Sequence, residues 1–270
     1  MSHRAKKSLG QHFLRSKSAV RAIVSAGRVT ASDIVLEIGP GEGVLTEALL
    51  ATGARVVAVE KDRDLIPLLS ERFSAELASG QLTLVEADVL EFDPATHGLG
   101  AGKYKLVANI PYYITGAIFE KFLTEETPPS LMVVLIQKEV ATRIVARDGK
   151  QSILSISVRA FGTPKITEKV PASAFRPAPK VDSAVLLVDD ISNKRFGGGA
   201  SKTAAILHFF TIVRAAFAHK RKLLARNLET VASKTAIAHM LAVLGISEKA
   251  RAEDLAPEVW FAIADAFKKE

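Results

Sequence analysis

Between Ile34 and Lys138 the chain alternates between short β-branched apolar runs and stretches of helical period. "IVLEIGP" reads as a strand and "VLTEALLATG" as a helix stopped by Gly53; "RVVAVEKD" is a second strand and "LIPLLSERFSAEL" a second helix. "LTLVEAD" and "YKLVANI" are further strands, "GAIFEKFLTEE" is a helix ended by Pro128 and Pro129, and "LMVVLIQK" is a fifth strand. Strands that are apolar throughout are buried on both faces, which requires a parallel sheet with helices on either side. Right-handed crossovers then give a doubly wound α/β domain whose ligand lies beyond the strand C-termini.

After Lys138 the pattern predicts two helices, "EVATRIVAR" and "ILSISVRAF", and two strands, "KITEKV" and "SAVLLV", joined by the proline-stiffened loop "PASAFRPAPKVD". The Gly/Ser-rich "SNKRFGGGASK" reads as a linker. The remainder of the chain is helical only, so the expected domains are 1–194 (α/β) and 195–270 (small, all-helical). Charge is unevenly spread. Residues 1–30 hold seven Lys/Arg and no Asp/Glu, residues 31–192 hold 16 basic against 22 acidic, and residues 193–270 hold 13 against seven. An acidic body with two basic ends suggests that the ends meet a polyanion. The acid-free start also has the composition of a transit peptide, but it runs into the first strand pattern without a linker, which favours its being part of the fold. No apolar run approaches the roughly 20 residues of a membrane span. The absence of cysteine excludes disulfides and thiolate metal sites and suits a reducing interior.

The strand ends carry the chemistry. "EIGPGEG" closes the first strand with glycines at 39, 41 and 43, where the backbone can turn tightly and approach a ligand. Glu60 ends the second strand, 21 residues after Gly39, a spacing that suits a ribose diol. Each feature alone is weak: a glycine turn is common for packing, and Glu60 beside Lys61 could be a solvated charge. Asp88 ends the third strand and could accept from an adenine amino group. Together they outline a nucleoside site. No G-K-[ST] phosphate loop accompanies it, which argues against a triphosphate. The fourth strand ends in Asn109-Ile110-Pro111-Tyr112. An adenine amino nitrogen is a poor nucleophile because its lone pair is delocalised. The Asn109 oxygen and the Ile110 carbonyl, stiffened by Pro111, could take both amino hydrogens and free that lone pair towards a sulfonium methyl. Tyr112 would stack the base.

"GQHFL" (Gly10 to Leu14), "EIGPGEG", "NIPYYIT", "QKEV" (Gln137 to Val140) and "FRPAPKVDSAV" (Phe175 to Val185) resemble, in order and spacing, the blocks of the KsgA family of ribosomal RNA adenine dimethyltransferases. The resemblance implies a Rossmann-like methyltransferase domain with a small helical C-terminal domain. It implies S-adenosylmethionine as donor; no metal, a cytoplasmic location and a monomeric enzyme are expected as well. The implied target is two adjacent adenosines near the 3′ end of small-subunit ribosomal RNA, in the immature small subunit. By position it places the donor against His12, Leu14, Gly39, Glu60, Asp88 and Asn109. Two positions depart from the family pattern: His12 and Tyr113 stand where Asn is frequent. A weaker resemblance extends to the macrolide-resistance methyltransferases, which modify a large-subunit adenine.

A base must leave its stack to react, at a few kcal/mol, and one aromatic face returns about 1–3 kcal/mol. Phe175 is therefore the candidate second face, although its pattern alone fits a core phenylalanine. In "FFTIVRAAFAHKRKLLARNL", Phe210, Phe217, Leu224 and Leu228 form an apolar helical stripe, and Arg214, Arg221, Lys222 and Arg226 fall largely opposite. That basic face is the expected RNA contact. An enzyme for another adenine, or a non-enzymatic ribosome-assembly factor, would share much of this pattern; intact Glu60, Asp88 and Asn109 argue against the latter.

Overall fold

The computed structural model describes residues 6, 9–146, 149–198 and 200–268. The chain enters through β1 (Phe13–Leu14) and α1 (Lys17–Ala26), whose Ser16 side chain caps the helix by accepting from the Ala19 N–H. The alternating segment forms β2 (Ile34–Ile38), α2 (Val44–Leu50), β3 (Arg55–Glu60), α3 (Ile66–Arg72), α4 (Ser74–Ser79), β4 (Leu82–Glu86), β5 (Lys105–Asn109), α5 (Thr115–Thr124) and β6 (Leu131–Gln137). Then come α6 (Lys138–Ile144), α7 (Ile153–Arg159), β7 (Thr163–Val170), β8 (Phe175–Arg176) and β9 (Ser183–Asp189). Four helices close the described chain: α8 (Ala200–Ala216), α9 (Leu224–Leu228), α10 (Lys234–Val243) and α11 (Val259–Ala266). Among the described residues no helix is long and apolar enough to cross a membrane.

Seven strands form one sheet in the order β4-β3-β2-β5-β6-β9-β7. The first five are parallel, as apolar strands such as the fully buried Val56–Val59 stretch of β3 require; β9 runs antiparallel to both β6 and β7. The chain reverses its winding between β2 and β5, which are neighbours although β3 and β4 intervene in sequence. That reversal opens a crevice at the strand C-termini. The expected second helix is interrupted: Phe73, with φ −113° and ψ 32°, separates α3 from α4 and turns its ring under the glycine loop. A Cβ on Gly43 would lie 2.5 Å from that ring, and Gly43 sits at φ +81°, so only glycine fits there. The pairing of β1 with β8, Leu14 opposite Phe175, has no signature in strands this short.

The molecule comprises two compact units. One contains the residues up to 141 with 163–191; the other contains 142–162 with the residues from 192. The tail unit therefore begins within three residues of the expected boundary at 195, but it also takes α7, which the sequence alone assigned to the α/β domain. Its packing explains why: Phe161, just after α7, stacks on Phe196 at 5.0 Å between ring centroids and on Phe210 at 6.2 Å.

Candidate active site

The tips of β2, β3 and β5, the turn after β4 and residues 9–14 wall one cleft in the α/β unit. His12, Leu14, Gly39, Glu60 and Asp88 line it, as do Asn109, Ile110, Pro111 and Tyr112. These residues are scattered over a hundred positions in sequence, and the sheet reversal brings them together.

On one side of the cleft, Gly39 takes φ +65°, and a Cβ there would meet no atom closer than 3.9 Å. The loop thus leaves open space where any other residue would place a side chain. Glu60 is buried. Its Oε2 accepts the Gly41 N–H at 3.1 Å and its Oε1 the Asp62 N–H at 2.8 Å. Burial pushes its pKa up against those two backbone donors. Each oxygen keeps a second lone pair, so Glu60 can hold the glycine loop and accept from a ligand hydroxyl together. Asp88 bonds the Lys61 ammonium at 2.6 Å and the Leu90 N–H at 2.9 Å. Both donors hold its carboxyl below the usual range. The sequence carries no signal for Glu37, because a position inside a strand gives no hint that it borders a cleft. It is fully buried, and neither carboxyl oxygen has a hydrogen-bond partner among the described residues. Burial raises its pKa to about 8, opposed by the nearby Thr46 hydroxyl and reinforced by the Glu60 charge.

On the other side, the Asn109 Nδ2 donates to the backbone carbonyl of His12 at 3.2 Å. A carbonyl only accepts, so this contact assigns the amide: nitrogen on His12, Oδ1 left as an acceptor. Tyr112 follows in a short 3₁₀ turn, and its hydroxyl shares a 2.7 Å bond with Ser183 Oγ. The His12 ring faces the Tyr112 ring, at 5.9 Å between centroids and 21° between planes. The His12 Nδ1 donates to the Pro177 carbonyl at 2.7 Å.

Phe175 is not a wall of the cleft. It is 5% exposed and belongs to the hydrophobic cluster that holds Phe13, Leu14 and Val185. In this position it offers no free face to a base; its backbone pairs beside Leu14 in the β1–β8 ribbon. Tyr113, by contrast, is 65% exposed at the cleft mouth.

In the helical unit, the expected single basic face is broken. The run from Phe209 is two helices, because α8 stops at Ala216 and α9 starts at Leu224. The buried Asn227 side chain donates to the Ala216 carbonyl at 2.6 Å and to the His219 carbonyl at 3.1 Å, satisfying the open end of α8. Arg221 and Lys222 lie, with Lys220, in the exposed turn between the helices. Arg214 lies in the last turn of α8, over the Phe210 ring at 5.6 Å, and Arg226 pairs with Glu229 at 3.1 Å.

Five parallel strands of this winding, extended by the antiparallel β9 and by β7, with the cleft at the β2–β5 reversal and a nucleoside-like set of strand tips, are those of an α/β methyltransferase. Solved structures agree. The chain superposes on the 23S rRNA methyltransferase ErmE with a TM-score of 0.73 and 26% identity, covering 94% of this chain and 99% of that one. It superposes on a dimethyladenosine transferase from Plasmodium falciparum with a TM-score of 0.76 and 25% identity, covering 93% and 96%. The profile of the family "Ribosomal RNA adenine dimethylase" matches residues 2–269. "Ribosomal RNA small subunit methyltransferase A" of Dehalococcoides mccartyi is 42% identical over 260 residues, covering 95% of this chain and 86% of that protein. The protein of the same name from Acaryochloris marina is 37% identical over 276 residues, covering 97% of each. The chain belongs to the ribosomal RNA adenine dimethylase family.

Proposed function

We propose that this enzyme dimethylates the exocyclic amino groups of two adjacent adenosines near the 3′ end of small-subunit ribosomal RNA, with S-adenosylmethionine as donor. The names of the relatives support the small-subunit target, and the orientation of Asn109 carries the chemistry. With Nδ2 held by the His12 carbonyl, the Asn109 Oδ1 and the adjacent Ile110 carbonyl form a pair of acceptors at the β5 tip. Both amino hydrogens of a flipped adenine can be taken there, which draws the nitrogen towards tetrahedral geometry and localises its lone pair. Tyr112, anchored through Ser183, supplies a stacking face.

The residues present suit the donor. The open space at Gly39, the spare lone pairs of Glu60 and the unpartnered Glu37 carboxyl all line one cleft. Glu60 would hold the ribose hydroxyls, Asp88 the base, and His12 and Leu14 the outer side. S-adenosylmethionine supplies, when bound, an electrophilic methyl on a cationic sulfur. The protein's part is positioning, which in favourable geometry lowers a barrier by roughly 7–11 kcal/mol, together with two dipoles that favour the amino group as it becomes cationic. The proton is then lost from a nitrogen made acidic by transfer, so no strong base is required. Lys220, Arg221, Lys222 and Arg214 provide phosphate contacts.

The test is incubation of the enzyme with methyl-labelled donor and, in parallel, immature small subunits, large subunits and duplex DNA, with mass mapping of modified bases. Label on two adjacent adenosines of the small subunit is expected. Label confined to large subunits or DNA would overturn the reading.

A further inference from the structure

Asp62 lies two residues beyond Glu60 and lines neither wall of the cleft. It is nonetheless 2% exposed, and its carboxylate is buried completely. A carboxylate is rarely taken out of water without a purpose for its charge. The Asp64 N–H donates to its Oδ1 at 3.2 Å, and two side chains reach it from the chain start. Lys6 Nζ bonds Oδ1 at 2.5 Å, and Gln11 Nε2 donates to Oδ2 at 2.7 Å. Gln11 Oε1 in turn accepts the Lys6 N–H at 2.7 Å, and Lys6 also reaches Asp64 at 2.7 Å. Burial raises the Asp62 pKa, but the bonds from Lys6 and Gln11 outweigh it and hold the group below the usual range.

Two connections lead from this cluster into the site. The Asp62 N–H donates to Glu60 Oε1 at 2.8 Å, beside the residue that faces the ribose. One residue after Gln11, the His12 carbonyl takes the Asn109 Nδ2 at 3.2 Å. An amide is symmetric enough to flip, and without that carbonyl Asn109 would have no reason to present oxygen rather than nitrogen.

We propose that Asp62 and Gln11 are positioning residues for methyl transfer: their buried pair holds residues 9–12 in register so that the His12 carbonyl orients the Asn109 amide. This rests on the adenine methyltransferase reading given above. Of residues 9–12 only Leu9 is a large apolar residue, so polar bonds supply much of what keeps this stretch on the domain.

The pair can be broken and remade by exchanging its chemistry. Gln11→Glu sets a carboxylate against the buried Asp62 charge. Asp62→Asn combined with Gln11→Glu remakes the 11–62 hydrogen bond with roles reversed and keeps one negative charge in the pair: the amide at 62 donates to the acid at 11, which still accepts the Lys6 N–H, and the remaining amide oxygen at 62 still accepts from Lys6 Nζ. With immature small subunits and saturating donor, Gln11→Glu is expected to lower kcat at least tenfold, and the double variant to recover to within about threefold of the unaltered enzyme. The ¹⁵N-resolved side-chain amide signals of Asn109, read in the protein without RNA, should shift in Gln11→Glu and return in the double variant. Unchanged kcat and unchanged Asn109 signals in a folded Gln11→Glu protein would overturn the proposal, as would a folded double variant that recovers neither. Failure of the unaltered enzyme to label small subunits would strike at the functional reading instead, and the Asn109 signals would still decide the positioning role.

Discussion

Asn109 shows how much of the role proposed for a residue can depend on what fixes its side chain. A free carboxamide presents either end to a ligand; here a main-chain carbonyl 97 residues away in sequence selects one. Asn109→Ala removes the acceptor while leaving the glycine loop, Glu60 and Asp88 in place. We expect kcat to fall by about 10²-fold or more, the scale of removing one preorganised polar group from a reacting centre, with the donor Kd within several-fold. Single-turnover transfer and calorimetric donor titration check the two halves. At Glu60, substitution by alanine should act differently, because the carboxylate both lines the cleft and holds the Gly41 and Asp62 N–H groups. The donor Kd should rise at least tenfold, and an unchanged value would remove Glu60 from the binding site.

At the scale of elements, the reversal between β2 and β5 assembles the cleft, and the break between α8 and α9 shapes the proposed RNA-contact surface. Three consecutive cations at 220–222 stand in an exposed turn, where they have greater freedom to meet phosphates than on a packed helix face. Replacing Lys220, Arg221 and Lys222 together by alanine should reduce the slope of log affinity for small-subunit RNA against log salt by about 0.7 to 0.9 for each phosphate left without its cation. Binding titrations at several salt concentrations measure it, and an unaltered slope would exclude this turn from the interface. Arg226, tied to Glu229 on the surface, should contribute less than its neighbours.

For the molecule as a whole, the buried Glu37 couples stability to pH. Its pKa in the folded protein is about 8, against an ordinary value of 4.5, so the folded state binds the proton more tightly than the unfolded chain. Stability therefore declines as pH rises from about 4.5 to about 8 and the buried charge forms, with no such penalty below that window. Glu37→Gln removes this dependence. Its melting temperature relative to the unaltered protein should climb between pH 5 and pH 8, by roughly 2–4 °C for each kcal/mol recovered. A difference that stays flat with pH would show that Glu37 is not ionising in that range.

Much of this was legible in the residues. Alternating period, β-branched runs and glycine stops define five parallel strands and most of their helices, because burial on two faces leaves a strand no other composition. The strand-end residues Gly39, Glu60, Asp88 and Asn109 follow from the same pattern, since a doubly wound sheet exposes its ligand site only there. What local pattern could not supply was every contact between distant segments. Phe175 has a pattern that fits a core phenylalanine, and the family resemblance places it at the cleft; the structure buries it where β8 pairs with β1. The helical stripe of residues 210–228 is continuous in period, yet Asn227 closes it into two helices. Lys6, Gln11 and Asp62 look like surface polar residues until the chain folds back on itself. Sequence periodicity reports which face of an element is apolar, and so it determined the sheet and the strand tips. Which polar groups are buried against each other depends on distances that only the tertiary structure sets.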